Sequence, residues 1–255
     1  MAQREVTLPS GAKGRIRGLK GRELNLFANR SAARAGKTSQ QILKNVWIET
    51  IDPGPLYSEE GVDWSSAPQC DRFTAIFYAR IATYGNDLEF PYKCSSCGKK
   101  CTWCEDLSQR PIKMLPESSI EAFKAGNKLK GTVEDPDGGV RSFVFQLLTP
   151  KLEEKIEQVQ SLAPTEKATA SLAQRIVSIE GLEDGKGPVK AFLNDLDAVP
   201  LLDLMELMDA ADGGINTTIT VVCPSCGDEE DMELPLEEAF WAPPKRKPST
   251  PPSRM

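Results

Sequence analysis

The sequence predicts an α+β fold made of two tandem, diverged repeats joined by one shared four-cysteine site. Two Cys-x-x-Cys-Gly turns, at residues 94–98 and 223–227, lie 129 positions apart, and each follows a segment with the order helix, glycine, strand. Apolar residues make up 40% of the 255 residues and charged residues 27%, a balance that is typical of soluble globular proteins. Because helices and strands mix within each repeat, the α+β class follows.

Each repeat begins with a predicted β-hairpin and two helices. Residues 6–24 and 131–154 each contain two short strands around a Pro/Gly turn and then lead into a helix. Residues 40–52 correspond to residues 170–181 at nearly the same offset as the two cysteine turns. Their apolar spacing predicts a second helix in each repeat.

A loop and a third helix complete the approach to each turn. The loops, residues 57–69 and 182–198, are long enough to be functional or mobile. Gly85 and Gly214 stand where each third helix should end. The apolar residues at helical spacing are Phe73, Ile76, Phe77 and Ile81 in the first repeat and Leu201, Leu204, Met205 and Met208 in the second.

The cysteines predict a structural zinc site. The chain has seven cysteines and no histidine, and six of the cysteines form Cys-x-x-Cys pairs, which indicates metal binding in a reducing compartment. Two such turns that meet on a pseudo-twofold axis would supply four thiolates to a tetrahedral ion and form a zinc ribbon with one hairpin from each repeat. No position would remain for a catalytic water. The expected ligands are Cys94, Cys97, Cys223 and Cys226.

A local zinc site is the alternative. It would use the CxxCxxxCxxC cluster formed by Cys94, Cys97, Cys101 and Cys104. In the second repeat, Glu230 and Glu233 occupy the places of the last two of these cysteines. If residues 99–107 form a strand, Cys101 and Cys104 would also point to opposite faces. The shared site is therefore favoured, and Cys101, Cys104 and Cys70 are otherwise small buried residues or incidental thiols.

The chain divides into three parts, namely a first repeat unit at 1–125, a second at 126–241 and a proline-rich, weakly basic tail at 242–255 that we expect to be disordered. No stretch approaches the length of a transmembrane helix, so we expect a cytoplasmic protein that does not bind membranes. Lys and Arg cluster at residues 15–37 and could form a nucleic-acid surface. A solvated helix face is the favoured interpretation, because the whole chain carries a net charge of −6.

Two aromatic residues, Phe240 and Trp241, stand just before the tail. An aromatic pair at this place either closes a hydrophobic core or remains exposed as an anchor for a partner protein. The core-closing pair is the favoured interpretation, and the partner anchor is the alternative.

The order of short motifs is informative in itself. LPSG precedes a short strand and GRE, a helix ends in YG before a strand that leads into CxxCG, and the plan then recurs and ends in CPSCG, ELPL and an aromatic pair before proline. This pattern resembles the baseplate hub and hub-assembly proteins of contractile-tailed bacteriophages of the T-even kind. The resemblance extends to about Trp241, and the additional Cys101 and Cys104 and the proline-rich tail depart from it.

The resemblance implies a viral protein without catalytic activity that acts in the host cytoplasm. It would help to build the central hub of the tail baseplate, either as a chaperone for a hub or tape-measure component or as a minor part of the virion. Its partners would be tail or baseplate hub proteins, and its knuckle cysteines would be the candidate metal ligands. The alternative function is a zinc-ribbon regulator that binds nucleic acid.

Overall fold

The computed structural model describes residues 3–28, 37–158, 164–236 and residue 240. Within these ranges, eight α-helices and twelve β-strands alternate along the chain, which confirms the mixed α+β class. The strands form small antiparallel sheets of two or three strands each.

The first half of the chain forms a three-stranded sheet covered by helices. Two strands form the predicted hairpin, and a third strand adds to its second strand. Val6 and Ile16 of the hairpin are buried and pack with Ile42 and Leu43 of a covering helix. The elements are β1 (Gln3–Thr7), β2 (Lys13–Arg17), α1 (Gly21–Ala28), α2 (Lys37–Val46), β3 (Trp47–Asp52) and α3 (Gln69–Tyr84).

The second half repeats this order with one additional helix. Its sheet has the strand order β7-β8-β9, and Val133 and Phe143 are buried at the places that Val6 and Ile16 take in the first hairpin. The elements are β7 (Leu129–Glu134), β8 (Val140–Phe145), α5 (Pro150–Gln158), α6 (Pro164–Arg175), β9 (Ile176–Ile179), α7 (Lys186–Asp195) and α8 (Ala198–Ala210).

Two β-hairpins carry the Cys-x-x-Cys-Gly turns. They share a hydrophobic core to which Phe77 and Ile81 of α3, Phe90 and Val221 contribute. Short elements link the two halves, including a two-residue pairing between β6 and β10. The elements are β4 (Asp87–Lys93), β5 (Lys100–Asp106), β6 (Ile112–Lys113), α4 (Glu117–Lys124), β10 (Gly214–Ile215), β11 (Thr218–Val222) and β12 (Glu229–Glu233).

The structure corrects three predictions of secondary structure. Residues 40–52 and 170–181 are not helical throughout, because α2 and α6 pass directly into β3 and β9. Residues 182–198 are not a loop, because α7 lies within them. Gly214 does not end a helix: α8 ends at Ala210, and Gly214 pairs with Lys113 in a short strand.

Polar contacts also join the two halves. The Arg72 guanidinium lies 2.6 Å from the Glu153 carboxylate, and the amide of Gln69 donates to the carbonyl of Leu148 at 2.7 Å. Phe123 of α4 packs against the core of the second half, although α4 precedes residue 125. The domain boundaries stay a prediction.

None of the described helices combines the length and the apolar composition that crossing a bilayer requires.

Candidate metal centre

The two cysteine turns have the same backbone construction. Each turn joins the strands of a two-stranded hairpin, and Cys94 and Cys223 each donate an amide hydrogen bond to the carbonyl five residues further on, at 3.0 and 2.8 Å. Gly98 and Gly227 follow with φ of +69° and +76°, which favours glycine because a Cβ atom is disfavoured in this left-handed region. The sequence Cys-x-x-Cys-Gly therefore specifies the turn.

The turns bring four thiols from the two halves of the chain into one cluster. The Sγ atoms of Cys94, Cys97, Cys223 and Cys226 all lie within 4.8 Å of one another. The Sγ atoms of Cys94 and Cys226 are 3.7 Å apart, as are those of Cys97 and Cys223, and all four cysteines are free. A regular tetrahedron of thiolates around zinc, with Zn–S bonds of about 2.3 Å, has edges of about 3.8 Å. The cluster therefore fits a four-thiolate metal site.

Backbone amides prepare one thiol for coordination. Hydrogen bonds from the amides of Ser225 and Cys226 lower the pKa of the Cys223 thiol to about 6, whereas the pKa of the neighbouring Cys226 thiol, despite a hydrogen bond from the amide of Asp228, is raised to about 12 by its hydrogen bond with Cys223. An anionic sulfur at neutral pH is the form that binds a metal ion.

Polar side chains join the two turns around the cluster. Ser95 donates its amide hydrogen to the Glu230 carboxylate at 3.1 Å, and its hydroxyl also donates to that carboxylate. Ser96 donates to the Asp228 carboxylate at 2.5 Å. These hydrogen bonds hold the two hairpins together independently of the thiols.

Cys101 and Cys104 lie on opposite faces of β5, as the strand interpretation predicted. Cys104 is exposed and faces Glu89 across the hairpin, whereas Cys101 is half-buried, with its Sγ 3.9 Å from the Sγ of Cys223. The local arrangement of four cysteines is therefore not assembled, and Cys101 lies beside the shared cluster as a fifth thiol. Cys70 is buried in α3, where burial, followed by the charge of Asp71, raises the pKa of its thiol. The ligand role of the four clustered cysteines stays a prediction.

Phe240 closes a core. It is 1% exposed, its ring lies 5.6 Å from that of Phe77, and its carbonyl accepts a hydrogen bond from Nε of Arg80 at 3.3 Å. This burial favours the core-closing interpretation of Phe240 over the partner anchor. Trp241 lies outside the described residues, and so does the tail at 242–255.

Three arginines of the basic cluster near the N-terminus form ion pairs. Arg15 pairs with Glu5 and Glu49, and Arg17 and Arg22 both pair with Glu23. These arginines do not form a row of unpaired cations of the kind that binds phosphates.

Comparison with known proteins gives one family. Residues 1–241 match the family described as T4 bacteriophage base plate protein. No curated protein and no solved structure shows a significant match. Since the match covers most of the chain and includes both cysteine turns and both three-stranded sheets, this chain belongs to the T4-type bacteriophage base plate protein family.

Proposed function

We propose that this chain is a non-enzymatic protein of the baseplate hub that binds another tail component during virion assembly. The family match over residues 1–241 carries this proposal. The partner is a baseplate hub or tail protein, with the tape measure among the candidates. The protein acts in the host cytoplasm during assembly and enters the tail baseplate of the virion.

The four clustered cysteines hold a structural zinc ion in this proposal. Two ligands come from each half, so the ion ties together residues that are far apart in the sequence. By the chain-entropy argument such a link contributes about 4 to 5 kcal/mol of stability. Four thiolates fill the tetrahedral sphere, which supports a structural role rather than catalysis.

We also infer that the two halves arose by duplication. The two hairpins pair in the same register at an offset of 129, with Lys93 opposite Lys100 in the first and Val222 opposite Glu229 in the second. Both sheets also place their third strand beside the second strand of the hairpin. A shared ion on a pseudo-twofold axis is what such a duplication would produce.

Metal content distinguishes the shared site from the local one. We expect the purified protein to contain one zinc ion per chain, the Cys223→Ser variant to lose it and the Cys101→Ser variant to keep it, because Cys101 is not one of the four clustered thiols. Elemental analysis after gel filtration gives the readout. Zinc retained in the first variant and lost in the second would assign the metal to the local cluster instead.

Pairwise co-expression with the tail and baseplate proteins of the same phage tests the assembly role. We expect one of them to co-purify with this chain, and we expect affinity for duplex DNA to be absent at physiological salt. A steep dependence of DNA affinity on salt, without any tail partner, would favour the nucleic-acid regulator, because phosphate contacts release counterions.

A further inference from the structure

Helix α8 exposes a row of large apolar side chains. Val199, Leu202 and Met205 are 66%, 55% and 46% exposed, and they are three of the nine large hydrophobic residues that are exposed in the described part of the chain. A spacing of three residues places them within a sector of about 120° on an α-helix. The opposite side of α8, with Leu204 and Met208, is buried in the core of the second half. The inner side of α8 is therefore covered, whereas three large apolar side chains on its outer side are not.

Acidic residues share the outer face of α8 with this row, since 100° per residue places Glu206 between Val199 and Leu202 and places Asp203 just beyond Val199. Asp203 and Glu206 are exposed, and no ion pair engages either of them within the described ranges. Asp209 lies one turn further on and is partly neutralised by Lys113, whose Nζ is 3.5 Å from the carboxylate. The last turn has no basic residue, so the negative end of the helix dipole adds to these charges.

The first half covers the corresponding helix face with its own chain. At the offset of 129 that relates the two cysteine hairpins, the row corresponds to Cys70, which is buried, and to Phe73 and Ile76, which are half-buried. Phe73 packs against the core of the cysteine hairpins, and Ile76 packs against the core of the first half. The matching side chains of α8 are more exposed than these three.

The charges determine which kind of occupant fits. A second copy of this chain that packed α8 against α8 would bring Asp203 and Glu206 close to their own equivalents, and like charges in an interface are costly. A helix with an apolar face bordered by Lys or Arg would bury the row and pair with both acids.

We propose that this outer face of α8 is a docking surface for a basic amphipathic helix of a partner tail protein. The row packs against the apolar face of the bound helix. Asp203 and Glu206 pair with basic residues of that helix and so fix its orientation. The inference rests on the proposed function for the identity of the partner, but the surface itself can be tested without that partner.

Synthetic peptides test the surface directly on the full-length protein. The probe is a labelled amphipathic helix with leucine on one face and lysine on the other, and its counterpart carries glutamate in place of lysine. We expect fluorescence anisotropy to detect binding of the lysine peptide that weakens with added salt, and at least about tenfold weaker binding of the glutamate peptide.

Three variants locate the binding. Leu202→Lys should weaken binding of the lysine peptide about tenfold or more. The double change Asp203→Lys with Glu206→Lys should reverse the preference of the protein between the two peptides. Ile51→Lys is the matched control, because Ile51 is 49% exposed on β3 and should leave binding unchanged. Far-ultraviolet circular dichroism and thermal melts verify that each variant is folded. Equal effects of Leu202→Lys and Ile51→Lys would overturn the proposal, and so would a dimer that Leu202→Lys dissociates.

The same variants separate the docking surface from the assembly role. A tail protein that co-purifies equally with the native chain and with Leu202→Lys would disprove docking on α8 and leave the assembly role intact. Selective binding of the lysine peptide at α8, with no co-purifying tail protein, would support the surface and contradict the assembly role.

Discussion

Glu23 is a fully buried carboxylate in the first turn of α1. It accepts hydrogen bonds from the backbone amide of Lys20 at 2.7 Å, from Nε of Arg22 at 2.7 Å and from Nη2 of Arg17 at 3.1 Å. The bond to the amide just before the helix is one half of a capping box. Burial alone would raise the pKa of Glu23, but the hydrogen bonds from Arg17 and Arg22 outweigh it and lower the pKa to about 2.

We predict that replacing this carboxylate causes a loss of stability that depends on pH. Because the folded pKa lies below the ordinary value of 4.5, the stabilisation is present above about pH 4.5 and is lost as the pH falls toward 2. We expect Glu23→Gln to lower the free energy of unfolding by about 1 to 3 kcal/mol at pH 7 and by much less near pH 2. Urea unfolding at both pH values measures this. An equal loss at the two pH values would show that the charge is not involved.

The cysteines show how far single residues can be predicted. The spacing of Cys94 and Cys97 and of Cys223 and Cys226 identified the two pairs, because a tight turn holds its own two cysteines together, and the equivalent places of the turns in the two repeats predicted that the pairs meet. The approach of Cys101 to Cys223 was not predictable, since it depends on how one hairpin packs against the other. Such packing is set by contacts between residues that are far apart in the sequence.

At the scale of elements, the first hairpin of each half, α3 and the two hairpins that carry the cysteine turns were predicted from the sequence pattern. β3 and β9 were missed because no Gly or Pro separates Val46 from Trp47 or Arg175 from Ile176, so helix and strand run together. α7 was missed within the predicted loop at 182–198; it contains Gly187 and Pro188, which are common in loops, but proline is tolerated in the first turn of a helix. The spacing of its buried residues, Val189, Phe192 and Leu193, is the signal that predicts this helix.

The contact of Phe240 with α3 leads to a prediction at the same scale. Arg80 is 2% exposed and donates hydrogen bonds to the carbonyls of Phe240, Gly85 and Asp87. Phe240 is therefore held to α3 by both its ring and its backbone. We expect Phe240→Ala to destabilise the fold by about 3 kcal/mol or more, because it leaves a cavity beside Phe77. Chemical denaturation measures the change. Val140→Ala is the control, since Val140 is 72% exposed and its truncation should cost no more than about 0.5 kcal/mol.

At the scale of the whole molecule, the cysteine cluster and the contact between Arg72 and Glu153 both connect the two halves. If zinc occupies the cluster, its removal should loosen the connection and leave each sheet with its own core. We expect a chelator to lower the melting temperature and to increase proteolysis between the halves. The free energy of unfolding should fall by about 4 kcal/mol or more.

Calorimetry with and without chelator gives the measurement. Cys223→Ser should reproduce the effect of the chelator, whereas Cys104→Ser should not, because Cys104 is exposed and lies outside the cluster. Identical melting curves for the native protein with and without chelator would contradict a stabilising ion.

The place of the second turn also affects synthesis on the ribosome. Cys223 and Cys226 follow Cys94 and Cys97 by 129 positions, so the first two thiols are synthesised while more than a hundred further residues remain to be translated before the second turn. At roughly 5 to 20 residues per second, this delay lasts several seconds or more. During that time, the newly made first half has to fold on its own sheet and helices. The thiols of Cys94 and Cys97 are accessible to other reaction partners until the hairpin with Cys223 and Cys226 has been synthesised.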